Sequence, residues 1–69
     1  MATIYQRFGE KVKRLRKEKG LSQEQLAALI HRDSRTVIAI ESGSRNPTLN
    51  TIHKIALAFK ISLTDLFNF

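Results

Sequence analysis

A run of 69 residues without a single cysteine must hold its fold by packing alone. Neither a disulfide framework nor a thiolate zinc site is open to it. A chain of this length lies near the lower size for self-sufficient folding, with a core expected to supply only about 3 to 5 kcal/mol. The expected architecture is one domain over residues 1–69, built from packed helices or completed by a partner subunit. No separate catalytic or sensor domain is expected within these residues.

The apolar residues fall at helical spacing. Ile4, Phe8, Val12 and Leu15 make one stripe of a first helix that follows Thr3 and ends at Gly20. Lys11, Lys13, Arg14, Lys17 and Lys19 spread around its other faces as a solvated surface, with Glu10 placed to pair with Arg14 one turn on. Ser22-Gln23-Glu24-Gln25 is a capping-box pattern that opens a second helix, with Leu26, Ala27 and Ile30 inward and Leu29 at the margin. Asp33 as N-cap and Gly43 as stop bound a third helix. Pro47 and Thr48 start a fourth with Leu49, Ile52, Ile55, Ala56 and Phe59 inward. Ser62 and Asp65 cap a short fifth carrying Leu63, Leu66 and Phe67. The fold class expected is all-α, five helices joined by short turns.

The third helix sets the functional question. Val37-Ile38-Ala39-Ile40 also suits a buried strand, since β-branched runs fit a pleated core element; the cap and stop favour the helix. On a helix, Val37 and Ile40 share the inner face, and the opposite face is Arg35, Ile38, Ala39 and Ser42 with Ser34 at its edge. An ordinary solvent face would be filled with Lys and Glu. This one is lean enough to approach another molecule closely: Arg35 can bind a guanine edge, and Ile38 and Ala39 can meet thymine methyl groups in a DNA major groove. A second reading stays open here, in which Ile38 packs under a neighbouring loop or in a subunit contact. Twelve Lys and Arg against six Asp and Glu give a formal charge of +6 and a pI near 10.4. That suits nucleic acid, and it equally suits a merely soluble basic protein.

Residues 23–42, QEQLAALIHRDSRTVIAIES, resemble the helix-turn-helix unit of the lambda-repressor-like family, the Cro and phage-repressor type that includes restriction-modification controller proteins. Gln23 and Ala27 match the start of the unit, and Val37 and Ile40 the core side of its recognition helix. Glu41-Ser42-Gly43 followed by Arg45-Asn46-Pro47 is similar to the family's closing loop, and the stretch from Ile55 to Phe67 to its last two helices. Ala27 also has a physical reason, because two helices that cross steeply over a short turn need a small residue where they come closest. His31 and Lys60 stand where the family usually has glycine with positive φ.

The resemblance implies a compact five-helix, sequence-specific double-stranded DNA-binding regulator of transcription that meets a palindromic operator as a homodimer. It implies that Ser34, Arg35, Ile38 and Ala39 enter the major groove and that Gln23, Thr36, Arg45 and Asn46 grip phosphates. Arg16 and Glu41 are implied as an ion pair between the first and third helices. For the dimer, Leu63, Phe67 and Phe69 are the candidate contacts, since the last helix is too short to bury two bulky aromatic faces. The alternative for Phe67 is completion of the monomer core.

Six scattered carboxylates and two distant histidines offer no catalytic constellation. His31 and His53 lie too far apart in sequence, with no thiolate between them, for a recognisable metal motif. No enzyme activity, cofactor, metal or small-molecule ligand is therefore expected. Without a membrane-length apolar stretch or a signal-peptide apolar region, the protein is expected to stay in the cytoplasm of a bacterial cell, as a bacterial or phage product. The competing function class is a protein-interaction module, either an antitoxin or a factor bridging to the transcription machinery. RNA binding finds little aromatic stacking surface, with one Tyr and four Phe, most of them at core spacing.

Overall fold

A computed structural model describes residues 1–69 as five α-helices and no strand: α1 (Ile4–Glu18), α2 (Gln23–Leu29), α3 (Ser34–Ser42), α4 (Leu49–Phe59) and α5 (Leu63–Leu66). Each begins at a side chain that caps it. Thr3, Ser22, Thr48 and Ser62 each accept the backbone N–H three residues on, and Asp33 accepts that of Arg35. At Thr3 and Ser22 the capping box is complete, because Gln6 and Gln25 return a side-chain acceptor to the cap's own N–H at 2.8 and 2.7 Å. Such caps are worth about 1 kcal/mol each, a large share in a domain this small.

The ends are set by positive φ. Gly43 terminates α3 at φ 77, and Lys60 terminates α4 at φ 58. His31, in the turn between α2 and α3, takes φ 56. Both positions where this chain departs from the family's glycine thus keep the left-handed geometry without it, at a cost of roughly 1 to 2 kcal/mol each.

Eleven apolar side chains form one core: Phe8 and Val12 of α1, Leu26, Ala27 and Ile30 at α2, Val37 and Ile40 of α3, Ile55, Ala56 and Phe59 of α4, and Leu66 of α5. Of the anticipated stripes, Leu15 and Ile52 pack half-buried against this core, while Ile4 and Leu49 stand outside it. Ile4 is 63% exposed and Leu49 74% exposed. Each is the first residue of its helix, where the side chain projects past the end of the core, so the covered stripes begin at Phe8, which is buried, and at Ile52, which is half-buried. Glu10 and Arg14 do not pair.

The chain wraps around α3. α1 packs against it on one side and α2 on the other, while α2 also meets α4 and α4 meets α5. The α1 contact depends on Gly9: a Cβ there would run into the Ile40 carbonyl oxygen and lie 2.7 Å from that of Glu41. Glycine inside a helix costs about 0.5 to 1 kcal/mol relative to alanine. Here it lets two helix backbones touch. Gly43 serves the same joint, since a Cβ on it would sit 2.7 Å from Gln6 Cα.

Candidate nucleic-acid interface

With Val37, Ile40 and Glu41 turned inward, α3 offers solvent the face made by Ser34, Arg35, Ile38, Ala39 and Ser42. Ile38 is 47% exposed, so much of its side chain is open to a partner. The polar groups nearby fold back on the helix. Ser42 Oγ donates to the Ala39 carbonyl at 3.0 Å and lies 2.9 Å from Ser44 Oγ. At the other end Arg35 stands 87% exposed, its Nη2 3.1 Å from Asp33 Oδ2. The Arg35 side chain and backbone N–H hold the Asp33 carboxyl below the usual carboxylate range, and the carboxylate in turn raises the Arg35 guanidinium. Both are charged at neutral pH.

A cleft beside this face is lined by Arg32, Thr36, Arg45, Asn46, Thr48 and Thr51. Arg45 Nη1 donates to Thr36 Oγ1 at 3.0 Å, and Arg32 Nη2 to Thr51 Oγ1 at 3.5 Å. Neither guanidinium meets a carboxylate. These two cations, Arg32 from the α2–α3 turn and Arg45 from the loop that opens α4, bond only to neutral hydroxyls, which leaves their charge free to meet an anion. Sequence reasoning missed Arg32, whose signal was its position just before the Asp33 cap. Thr36, Arg45 and Asn46 are brought together, but Gln23 is not among them. Its side-chain amide is turned inward and donates to Glu41 Oε1 at 3.1 Å.

Glu41 is the hub of a buried polar knot. Arg16 Nε lies 2.6 Å from Glu41 Oε2 and Arg16 Nη2 3.1 Å from Oε1, with side chains only 9% and 3% exposed. Arg16 Nη1 donates to the Leu21 carbonyl at 2.8 Å. Two parallel bonds between planar groups fix orientation as well as distance. No buried side-chain polar atom in the protein lacks a partner, and each nitrogen of the Arg16 guanidinium donates within the knot. It ties α1, the start of α2 and the last turn of α3 into one unit, so the outer face of α3 is presented at a fixed angle.

On the far edge, Leu63 borders an apolar depression with Leu49, Asn50 and His53. Phe67 stacks on Phe8 with ring centroids 5.4 Å apart, and Phe69 lies 6.2 Å from Phe67 with Arg7 over its ring. Both aromatics still show an exposed side to solvent. No helix is long and apolar enough to cross a membrane.

Two helices joined by a tight turn, the second presenting a lean outer face flanked by unpaired arginines, define a helix-turn-helix protein. Comparison with known proteins places it more closely. The helix-turn-helix family matches residues 12–66. Control protein C.MunI of Mycoplasma sp is 46% identical over 69 residues, 99% of this chain and 93% of that protein. The crystal structure of the restriction-modification controller protein C.AhdI from Aeromonas hydrophila superposes with a TM-score of 0.87 at 42% identity, over 90% of this chain and 94% of that one. Controller protein C.Esp1396I, solved as a tetramer in complex with its natural 35 base-pair operator, is 28% identical with a TM-score of 0.86, over 97% of this chain and 88% of its own. The chain belongs to the helix-turn-helix family.

Proposed function

We propose that this chain, a helix-turn-helix transcriptional regulator, binds a palindromic duplex operator as a homodimer and controls a restriction-modification system. The observation that carries the reading is the outer face of α3: small side chains, one exposed branched hydrocarbon and one exposed arginine, with the Arg32 and Arg45 cleft on its flank. Ser34, Arg35, Ile38 and Ala39 read bases in the major groove. Arg45, Asn46 and Thr36 hold the phosphate backbone, joined by Arg32. Gln23 reaches a phosphate only by leaving Glu41 or through its backbone at the start of α2. The likeness to C.MunI and C.AhdI supports the controller role, and the operator complex of C.Esp1396I supports oligomeric DNA binding.

The homodimer uses the α4–α5 edge. Leu63 and Leu49 form its apolar centre, Phe67 adds its exposed side, and Phe69 lies toward α1. The molecule's longest extent is 31 Å, so two copies side by side are of the size to set their α3 helices one turn of duplex apart, about 34 to 36 Å.

Selection of bound sites from a random duplex library tests function, symmetry and spacing together. A palindrome with half-sites one helical turn apart is the expected result. Log affinity should fall linearly with log salt, by about 0.9 for each phosphate neutralised. Arg45→Ala should weaken all duplexes alike and flatten that slope by roughly one unit per subunit. If no sequence is enriched and the chain instead captures a protein partner with salt-insensitive affinity, the interaction-module reading replaces this one.

A further inference from the structure

Asp33 performs two tasks that chemistry can separate. Its Oδ1 accepts the Arg35 backbone N–H at 2.9 Å, which caps α3. The same carboxylate faces the Arg35 guanidinium, Oδ1 at 3.4 Å from Nε and Oδ2 at 3.1 Å from Nη2. Capping does not require this charge, because the other four helices are capped by the hydroxyls of Thr3, Ser22, Thr48 and Ser62. Ser and Asn cap as well as Asp does. A carboxylate at the tip of a helix that approaches a polyanion also weakens binding to every duplex, since phosphates repel it. The acid therefore has to contribute something that a hydroxyl cannot.

The geometry shows what that is. Asp33 occupies the Nε and Nη2 edge of the guanidinium, which leaves Nη1 and the outward hydrogen of Nη2 as a second fork. A two-pronged donor of that kind matches the O6 and N7 acceptors of guanine. An arginine that is 87% exposed has no other group to hold it, and nothing but Asp33 bonds its side chain. We propose that Asp33 is a specificity-determining residue that positions the Arg35 fork for guanine, while its charge penalises duplexes in which the fork finds no guanine. The proposal rests on the reading of Arg35 as a base-contacting residue.

The test uses the full chain, selected operator duplex and random duplex. Asp33→Asn keeps the cap and the shape and removes the charge; Asp33→Ser keeps the cap and removes the fork's acceptor. Melting of both should match the unsubstituted protein. Each should reduce the preference for guanine at one base pair per half-site by about tenfold, and raise affinity for random duplex by roughly twofold to fivefold at low salt. Arg35→Ala should abolish the preference at that same base pair, and adding Asp33→Asn to it should change the preference no further. Loss of preference in Arg35→Ala with full preference in both Asp33 variants would overturn the positioning role and leave the base-contact reading standing. Undiminished preference in Arg35→Ala would overturn the base-contact reading itself, and this proposal with it. A change at a different base pair in the Asp33 variants would show that Asp33 reads a base directly, which also overturns positioning.

Discussion

The joint between α1 and α3 and the outer edge of α4 and α5 handle exposed surface in opposite ways. At the joint, backbones meet at Gly9 and a buried Arg16–Glu41 pair leaves no buried polar atom without a partner. At the edge, Leu49, Leu63 and Phe67 leave apolar surface in water. The joint is completed within the chain. On the proposed dimer, the edge is the region that gains from a second copy, because apolar surface left in solvent is stabilising only once it is covered.

Substitutions can push this contrast from both sides. Glu41→Ala should have the largest effect, about 3 to 5 kcal/mol, because it leaves the Arg16 guanidinium buried without its partner. Thermal or urea unfolding measures it, and an unchanged melting temperature would reduce the pair to surface value. Gly9→Ala comes next. Although alanine is the better helix former, its Cβ collides with backbone rather than a yielding side chain, so a loss of about 1 to 3 kcal/mol is expected. A gain in stability would show that the helices separate at little cost.

The edge should respond differently. Leu49→Glu and Leu63→Glu place an acid in the first turn of α4 and α5, where the helix dipole favours it. Monomer melting should therefore stay within about 0.5 kcal/mol. Sedimentation without DNA should nevertheless show a weaker dimer, and operator affinity should fall with it. A dimer of undiminished strength would move the interface elsewhere. Smallest in stability is Ile38→Ala, also within about 0.5 kcal/mol because the side chain is 47% exposed. Unlike the edge variants it should leave the dimer alone and weaken a thymine preference in the selected site. If stability instead fell by roughly 2 to 5 kcal/mol with base preference intact, Ile38 would be a packing residue.

The helices themselves were legible in the sequence because their signals are local. Thr3, Ser22, Asp33, Thr48 and Ser62 mark starts through bonds that span three residues or fewer, and Gly43 marks a stop through its own φ. The inner and outer faces of α3 likewise followed from the helical repeat, since Val37 and Ile40 share one side whatever lies against them. Only the tertiary structure decided matters that depend on what stands opposite. Gly9 carries no periodic signal, and its role exists because Ile40 and Glu41 arrive there from far along the chain. Gln23 looks from its place at a helix start like an outward group, yet the approach of Glu41 turns it inward. Leu49 matches the spacing of an inward residue, but a helix end that overhangs the core leaves it in solvent. Periodicity reports which residues share a face, because that is a property of one helix; how far the neighbouring element extends along the face is a property of the whole packed set.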